Sequence, residues 1–541
     1  MTTRADLVIH GQVIVEARAD GFILADAVAV ADGRVLTTGT RDEVDATAAR
    51  GARVIDAGDA VVIPGLHDFH IHLVGLARSR REVLLDDARD GNEVLERLHT
   101  AALALDSSAW LLGRGWTESQ LGGLDPSALE RAVGGRPAFM KSHDGHSAWA
   151  SLDARTRAGI RDSTDDPPGG RIERAGDGSP SGILRETALD LVAPVAHRLQ
   201  GSTLRAPLDE TLREMSAMGL TGASEAGDYT DANGTGADAA FGDSYSSLTD
   251  LADLLDGRLR MNLGIPVDAL DAAAERGLRT GEVLRGTLRF GWAKEYSDGA
   301  LGSGTAALLD ERSCDEGGTG ILRVDAEELD DLFRRARRAR IGLAIHAIGD
   351  RAVLAVLDAL ERAPARSGAT PKDRMEHVQL LAPGTAHRFV PMGLTASIQP
   401  IHAASDRDLV EACWDGRQER AYAWRDLVGH GALLAAGSDA PVESVDPWAG
   451  MFAAVHRRFP TDQRDDWRPS QALSIEEALR AYTVGPALAL GADDEGHLRP
   501  GARADLAVLS CDLDTLRAAD ERLAGVRSVL TLVAGSEVPL G

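Results

Sequence analysis

A chain of 541 residues is too long for one ordinary core and calls for two or three domains. With 58 Lys+Arg against 84 Asp+Glu, the net charge of −26 argues against nucleic acid or an anionic membrane as the main partner and points to a small-molecule substrate. No apolar run of 18 residues occurs, the N-terminal Met1-Thr2-Thr3-Arg4-Ala5-Asp6 lacks a signal-peptide core, and the expectation is a cytoplasmic enzyme.

In chain order, residues 4–60 read as short strands, Asp6 to Val15, Ala27 to Leu36 around an Asp32-Gly33 turn, and Arg53 to Ala57, which predicts a small antiparallel sheet. Next comes Val61-Val62-Ile63-Pro64-Gly65-Leu66-His67-Asp68-Phe69-His70-Ile71-His72, a β-branched run broken by Pro-Gly. On an extended backbone His70 and His72 project to the same side, so both imidazoles can reach one cation. The stretch 75–215 is too long for one crossover and carries its own strands, Ala109 to Trp116 and Pro137 to Lys141. It also holds a Gly/Pro/Asp-rich segment, Asp165 to Gly182, expected to form a long hairpin or lid, and is read as an insertion domain.

Apolar runs then alternate with helical stretches such as Ala326 to Arg340 and Arg351 to Arg362, the pattern of βα units. Eight candidate strands result: 61–69, 218–225, 258–265, 287–295, 342–347, 374–380, 394–399 and 432–438. Eight is the number that closes a TIM (β/α)8 barrel. Gly496 to Leu509 and Ser528 to Ala534 repeat the texture of the N-terminal strands, which suggests one β-sandwich assembled from both chain ends. The expected domains of this α/β chain are therefore 1–60 with 489–541 as the sandwich, 61–74 with 216–488 as the barrel, and 75–215 as the insertion.

Residues at the C-terminal ends of barrel strands converge on one site. By the strand assignment these are His70 and His72, Lys294 on the fourth strand, His346 on the fifth, His377 on the sixth and Asp439 on the eighth. Four histidines and a carboxylate suit zinc or a similar divalent ion. Cysteine takes no part, because Cys314, Cys413 and Cys511 are far apart and odd in number, which argues against a disulfide framework and a cysteine zinc site alike. Lys294 stands out, being one of only three lysines (with Lys141 and Lys372) among 58 basic residues, where a surviving Lys marks a position that Arg cannot serve.

These motifs resemble the amidohydrolase superfamily of metal-dependent hydrolases, and within it the amidohydrolase 3 branch that includes N-substituted formamide deformylases. Pro64 to His72 matches the superfamily's Pro-Gly-x-x-Asp-x-His-x-His, and Gly496 to Leu506 its terminal Gly-x-Leu-x-Pro-Gly-x-x-Ala-Asp-Leu. Features of the narrower branch are Asp144-Gly145-His146-Ser147-Ala148-Trp149, Ser297 to Gly302, His346 to Asp350 and Gln399-Pro400-x-His402. The resemblance implies one or two Zn2+ ions held by His70, His72, Lys294, His346, His377 and Asp439. In such a centre Asp439 is the general base, His377 or a pocket donor steadies the developing oxyanion, and Lys294 becomes a carbamate bridging two metals. Trp116, Lys141, His146, Arg351 and His402, in the insertion or just past strand ends, are candidates for substrate contact. The implied reaction is hydrolysis of an amide C–N bond; an esterase or lactonase using the same centre and a non-catalytic binding or regulatory relative are the alternatives, and a homodimer stays open.

Overall fold

The computed structural model describes residues 3–540 apart from 86–87, 107, 118–119, 121–126, 143–146, 168–169, 197–200, 228–251, 315–317 and 366–371. The chain divides into two compact units.

In the first unit, strands from both chain ends meet in one seven-stranded sheet. Its order is Ser536–Glu537, Ser528–Val533, Leu506–Leu509, Ala48–Pro64, Ala5–Arg18, Gly21–Ala31 and Arg34–Gly39. The join is antiparallel, with Ala507 opposite Ile63. Alternate residues, among them Val13, Val30, Val62, Leu506 and Leu530, form its buried core. This corrects the expected first barrel strand: Val61 to Ile63 belong to this sheet, whose strand runs on to Pro64. An apolar run buried on both faces fits either sheet, and the Pro64-Gly65 break decides. A Cβ at Gly65 would lie 2.1 Å from Thr221 Oγ1, so only glycine lets the chain pass this close to the next barrel strand.

The barrel strands, labelled in chain order, are β1 Leu66–Ile71, β2 Leu220–Glu225, β3 Arg260–Pro266, β4 Leu288–Tyr296, β5 Gly342–Ala347, β6 Arg374–His377, β7 Thr395–Ile398 and β8 Leu433–Ala436. They pair in parallel from β1 through β8. Helices between them are locally specified; Ala326–Ala339 starts at an Asp325/Glu328 capping box and buries Leu329, Leu332, Phe333 and Ala336. The ring is drawn together just past β1 and β8, where Asp439 N–H donates to His70 O at 2.7 Å and His72 N–H to Ala440 O at 2.9 Å. The result is a nearly closed, TIM-like barrel whose closing contacts involve three of the predicted metal ligands.

One disulfide is present, Cys314 to Cys413, and corrects the reading of the cysteines. The two are 99 residues apart in sequence, yet their Cα atoms are 4.6 Å apart, a proximity that only the barrel creates. It ties the loop after β4 to the end of the helix Arg407–Cys413. Closing a loop of that length removes roughly 4–5 kcal/mol of chain entropy from the unfolded state in the simplest treatment. Cys511 is free.

The second unit contains Ala77–Pro207, which fall between β1 and β2 in sequence. It has a six-stranded sheet, Gly170–Arg174, Pro180–Glu186, Ser147–Ala150, Ala138–Ser142, Leu111–Trp116 and Glu82–Leu84 in order. The first two form an antiparallel hairpin within the Gly/Pro-rich region. No helix among the described residues is long and apolar enough to cross a membrane.

Candidate metal centre

Asp68 and His70 alternate along β1 and His72 follows one residue past its end, so that the i, i+2 spacing places them on one side of the chain. Asp68 Oδ1 accepts from the backbone N–H groups of His70 (3.1 Å) and Ser438 (3.0 Å), and Oδ2 from the Ser438 hydroxyl at 2.6 Å. Burial pushes its carboxyl up to about 6, with the Ser438 and His70 donors pulling the other way. These bonds make Asp68 the residue that closes β1 onto the end of β8. Gly437 is required beside it, since a Cβ there would lie 2.3 Å from His70 N.

His70 is 1 % exposed, and its Nδ1 is hydrogen-bonded to the equally buried Glu376. A carboxylate accepts, so Nδ1 carries a proton, and Nε2 lies 3.4 Å from Asp439 Oδ1. His72 Nε2 lies 3.0 Å from the same oxygen. At the end of β5, His346 Nε2 donates to Gly299 O at 3.0 Å, and its buried Nδ1 has no hydrogen-bond partner. His377 Nδ1, at the end of β6, is buried and unpartnered as well. His377 (φ 73°) and Asp439 (φ 62°) both have left-handed backbone, uncommon in non-glycine residues and typical of functional sites. At both, the chain turns off the strand direction where a donor is presented.

The electrostatics match this geometry. Burial, reinforced by Lys294, holds His346 down to about 3, and burial with His346 holds His377 well below the usual range. Both rings are therefore neutral and keep a lone pair. Burial opposes ionisation of Asp439, but His70 and His72 outweigh it and hold the carboxyl well below the usual carboxylate range. Ligand-capable atoms of His70, His72 and Asp439 lie within 4.8 Å of one another, and so do those of His377, His402 and Asp439. Buried, unpaired imidazole nitrogens beside an ionised carboxylate fit a borderline divalent cation. Lys294, 3 % exposed on β4, faces the same cavity with Nζ 4.7 Å from the Tyr296 ring centroid. Gly227 (φ 95°) makes room for it, since a Cβ there would be 2.4 Å from Lys294 Cβ.

All six predicted ligands line one cavity of ≈ 370 Å³, together with Tyr296, Leu301, Gln379, His402, Asp406 and Glu443. Of the predicted substrate contacts described in the first unit, His402 lines this cavity. Trp116 is a core residue of the second unit, 1 % exposed, and its indole N–H donates to Met140 O at 2.8 Å. Arg351 is exposed at the start of the helix Asp350–Arg362 and is absent from the cavity lining, one helical step past the strand end having turned the side chain outward. Lys141 is on the second unit's strand Ala138–Ser142, with its charge acting on Glu82. His146 lies outside the described residues.

The residues missed are Arg374 and Glu376. Both are buried on the four-residue β6; Arg374 pairs with Glu376, donates to Phe69 O and stacks 3.9 Å over the Phe69 ring. Burial opposes ionisation of Glu376, but Arg374 and His70 outweigh it and hold its carboxyl well below the usual range. Two charges in a buried strand, at the i and i+2 positions before His377, are the signal that was available. A carboxylate fixing the tautomer of a metal-binding histidine is worth roughly 10–100-fold in metal affinity. Glu376→Gln is expected to weaken binding by that factor in a chelator competition, and unchanged affinity would remove Glu376 from the centre.

A parallel eight-stranded barrel with these donors at its strand ends is the framework of a metal-dependent hydrolase. The chain belongs to the amidohydrolase family, whose model matches residues 53–539. It is 31 % identical over 492 residues to Protein LONG AFTER FAR-RED 3 of Arabidopsis thaliana, covering 90 % of this chain and 84 % of that one. It is 28 % identical over 538 residues to the N-substituted formamide deformylase of Arthrobacter pascens, covering 94 % of each. A crystal structure of a metal-dependent hydrolase from Pyrococcus horikoshii OT3 has the same fold, with a TM-score of 0.78 at 24 % identity over 95 % of this chain and 99 % of that one.

Proposed function

We propose that the protein hydrolyses the C–N bond of an amide, of the N-substituted formamide, N-acyl or cyclic amide class, at a centre of one or two zinc ions. The observation that carries this reading is the convergence of neutral histidines on the ionised Asp439 in one cavity. The likeness to a formamide deformylase over nearly the full length supports the amide class. His70, His72 and Asp439 would hold one ion, and His346 and His377, whose buried Nδ1 atoms are unpartnered, would hold a second, with Lys294 as a carbamate supplying a further anionic ligand.

Bound ions supply water activation near neutral pH and polarisation of the carbonyl. Asp439 takes the proton of the attacking water as the C–O bond forms and delivers it to the leaving nitrogen as the C–N bond breaks. A carboxylate held ionised by its neighbours is available for the first half of that cycle at neutral pH. Glu376 and Gly299 O fix the tautomers of His70 and His346 and so aim their lone pairs.

The test is metal analysis coupled to a panel of formamides, N-acyl amino acids and lactones. One to two zinc-like ions per chain are expected, with turnover of an amide that is abolished by a chelator and restored by metal. Hydrolysis confined to lactones would replace the amide reading by the esterase one, and protein without metal or turnover would overturn both.

A further inference from the structure

His402 follows β7 on the short helix Pro400–Ser405, outside the six ligands, and its placement sets it apart from them. It is 8 % exposed and lines the cavity. Its ring stacks on His377 with centroids 5.8 Å apart at 16°. Its Nε2 is buried, without a hydrogen-bond partner, and 3.6 Å from Asp439 Oδ2. On the other edge of the ring, Gln379 Nε2 is 3.3 Å from His402 Nδ1.

That last contact decides what the ring can do. With Gln379 presenting its NH2 group to this edge, the Nδ1 it faces accepts, and a single ring proton then sits on Nε2. A protonated Nε2 has no lone pair for a cation, although His377, His402 and Asp439 lie close enough together to be read as a metal triad. To ligate, the ring would have to present Nδ1–H to the NH2 group, donor against donor. What remains is a buried Nε2–H at the cavity wall, without a hydrogen-bond partner and 3.6 Å from Asp439 Oδ2.

We infer that His402 is a catalytic residue, the donor whose Nε2–H binds the substrate carbonyl oxygen and strengthens as that oxygen becomes an oxyanion, with Gln379 the positioning residue that sets its tautomer. This rests on the amide-hydrolase reading for the identity of the oxyanion, not for the existence of the donor. Removing one preorganised oxyanion donor costs about 10²–10³-fold in kcat.

The experiment compares metal-loaded parent protein with His402→Ala and His402→Gln. With the amide identified by the panel, His402→Ala is expected to lose about 10²–10³-fold in kcat with KM changed far less. His402→Gln, which keeps an N–H, should recover part of the loss, and metal content should equal the parent's in both. Loss of metal from His402→Ala would make His402 a ligand and overturn the inference, as would an unchanged kcat. Two readouts need no substrate. Nitrogen-15 spectra of the imidazoles, with His402 assigned by its absence from His402→Gln, should show the proton on Nε2, and a proton on Nδ1 would overturn the assignment. Methylphosphonate, a tetrahedral anion, should bind the parent at least about tenfold more tightly than His402→Ala in calorimetry. Equal binding would refute the donor. If no amide is turned over, the function proposed above fails by itself while these two measurements still decide the role of His402.

Discussion

Asp439→Asn is expected to lower kcat by roughly 10²–10⁴-fold, the range that a general acid–base contributes. Asn preserves the shape and one coordinating oxygen, so at least one ion per chain should remain bound by His70 and His72. What it removes is the charge: the carboxyl is held ionised chiefly by His70 and His72 against the effect of its own burial. The position is also fixed structurally. Asp439 has a left-handed backbone, its N–H donates to His70 O at 2.7 Å, and Ser438 beside it is clamped by Asp68. The substituted side chain therefore has to occupy the same place, and a fall in rate is a loss of chemistry and not of geometry. Metal content by mass spectrometry alongside steady-state kinetics separates the roles: a full complement of metal with a collapsed kcat marks a base, whereas collapse of both marks a ligand only. A rate equal to the parent's would take Asp439 out of the mechanism.

Lys294→Arg is expected to leave at most one ion per chain and to lose activity by more than the ~10²-fold that a disturbed metal environment brings. An ammonium among divalent cations is repelled, so the lysine has to be neutral there or be changed chemically. Attack of its neutral Nζ on carbon dioxide forms an N–C bond, releases one proton from nitrogen and yields an anionic carbamate with two oxygens. Arginine stays protonated and cannot follow. The surroundings are consistent with such a residue: Lys294 is buried on β4, faces the cavity with His346 and His377, and has its stem against Gly227, where any side chain would collide. A crystal grown with metal and bicarbonate should show carboxylated Lys294 contacting both ions. Unmodified lysine in a metal-replete crystal, its amine turned from the ions, would defeat the bridge and leave a mononuclear centre.

The barrel was legible because its strands are short apolar runs buried on both faces and separated by well-signalled helices, so seven of the eight candidate stretches overlap a strand within a few residues. The first was misplaced at its start because burial on two faces looks the same in either sheet. The six predicted ligands that meet in the cavity could be found for a related reason. Donors to a metal stand at strand ends, where an abrupt change from apolar to polar side chains is visible in one dimension.

Whatever depends on a partner distant in sequence was decided by tertiary structure alone. Glu376 meets His70 across 306 residues, and Cys314 meets Cys413 across 99. Nothing in the local pattern of either member announces the other, since a one-dimensional period reports which face a side chain is on and never what lies opposite. Trp116 and Arg351 mark the converse limit: proximity to a strand end is readable, but whether the side chain turns to a cavity, a core or solvent depends on a single step of backbone geometry. Residue types and their order were enough to determine the family and to name six side chains that meet in one cavity. The ring protons of His70 and His346 are placed by Glu376 and Gly299 O, which accept them, and one edge of His402 faces Gln379, groups that only folding brings to each ring.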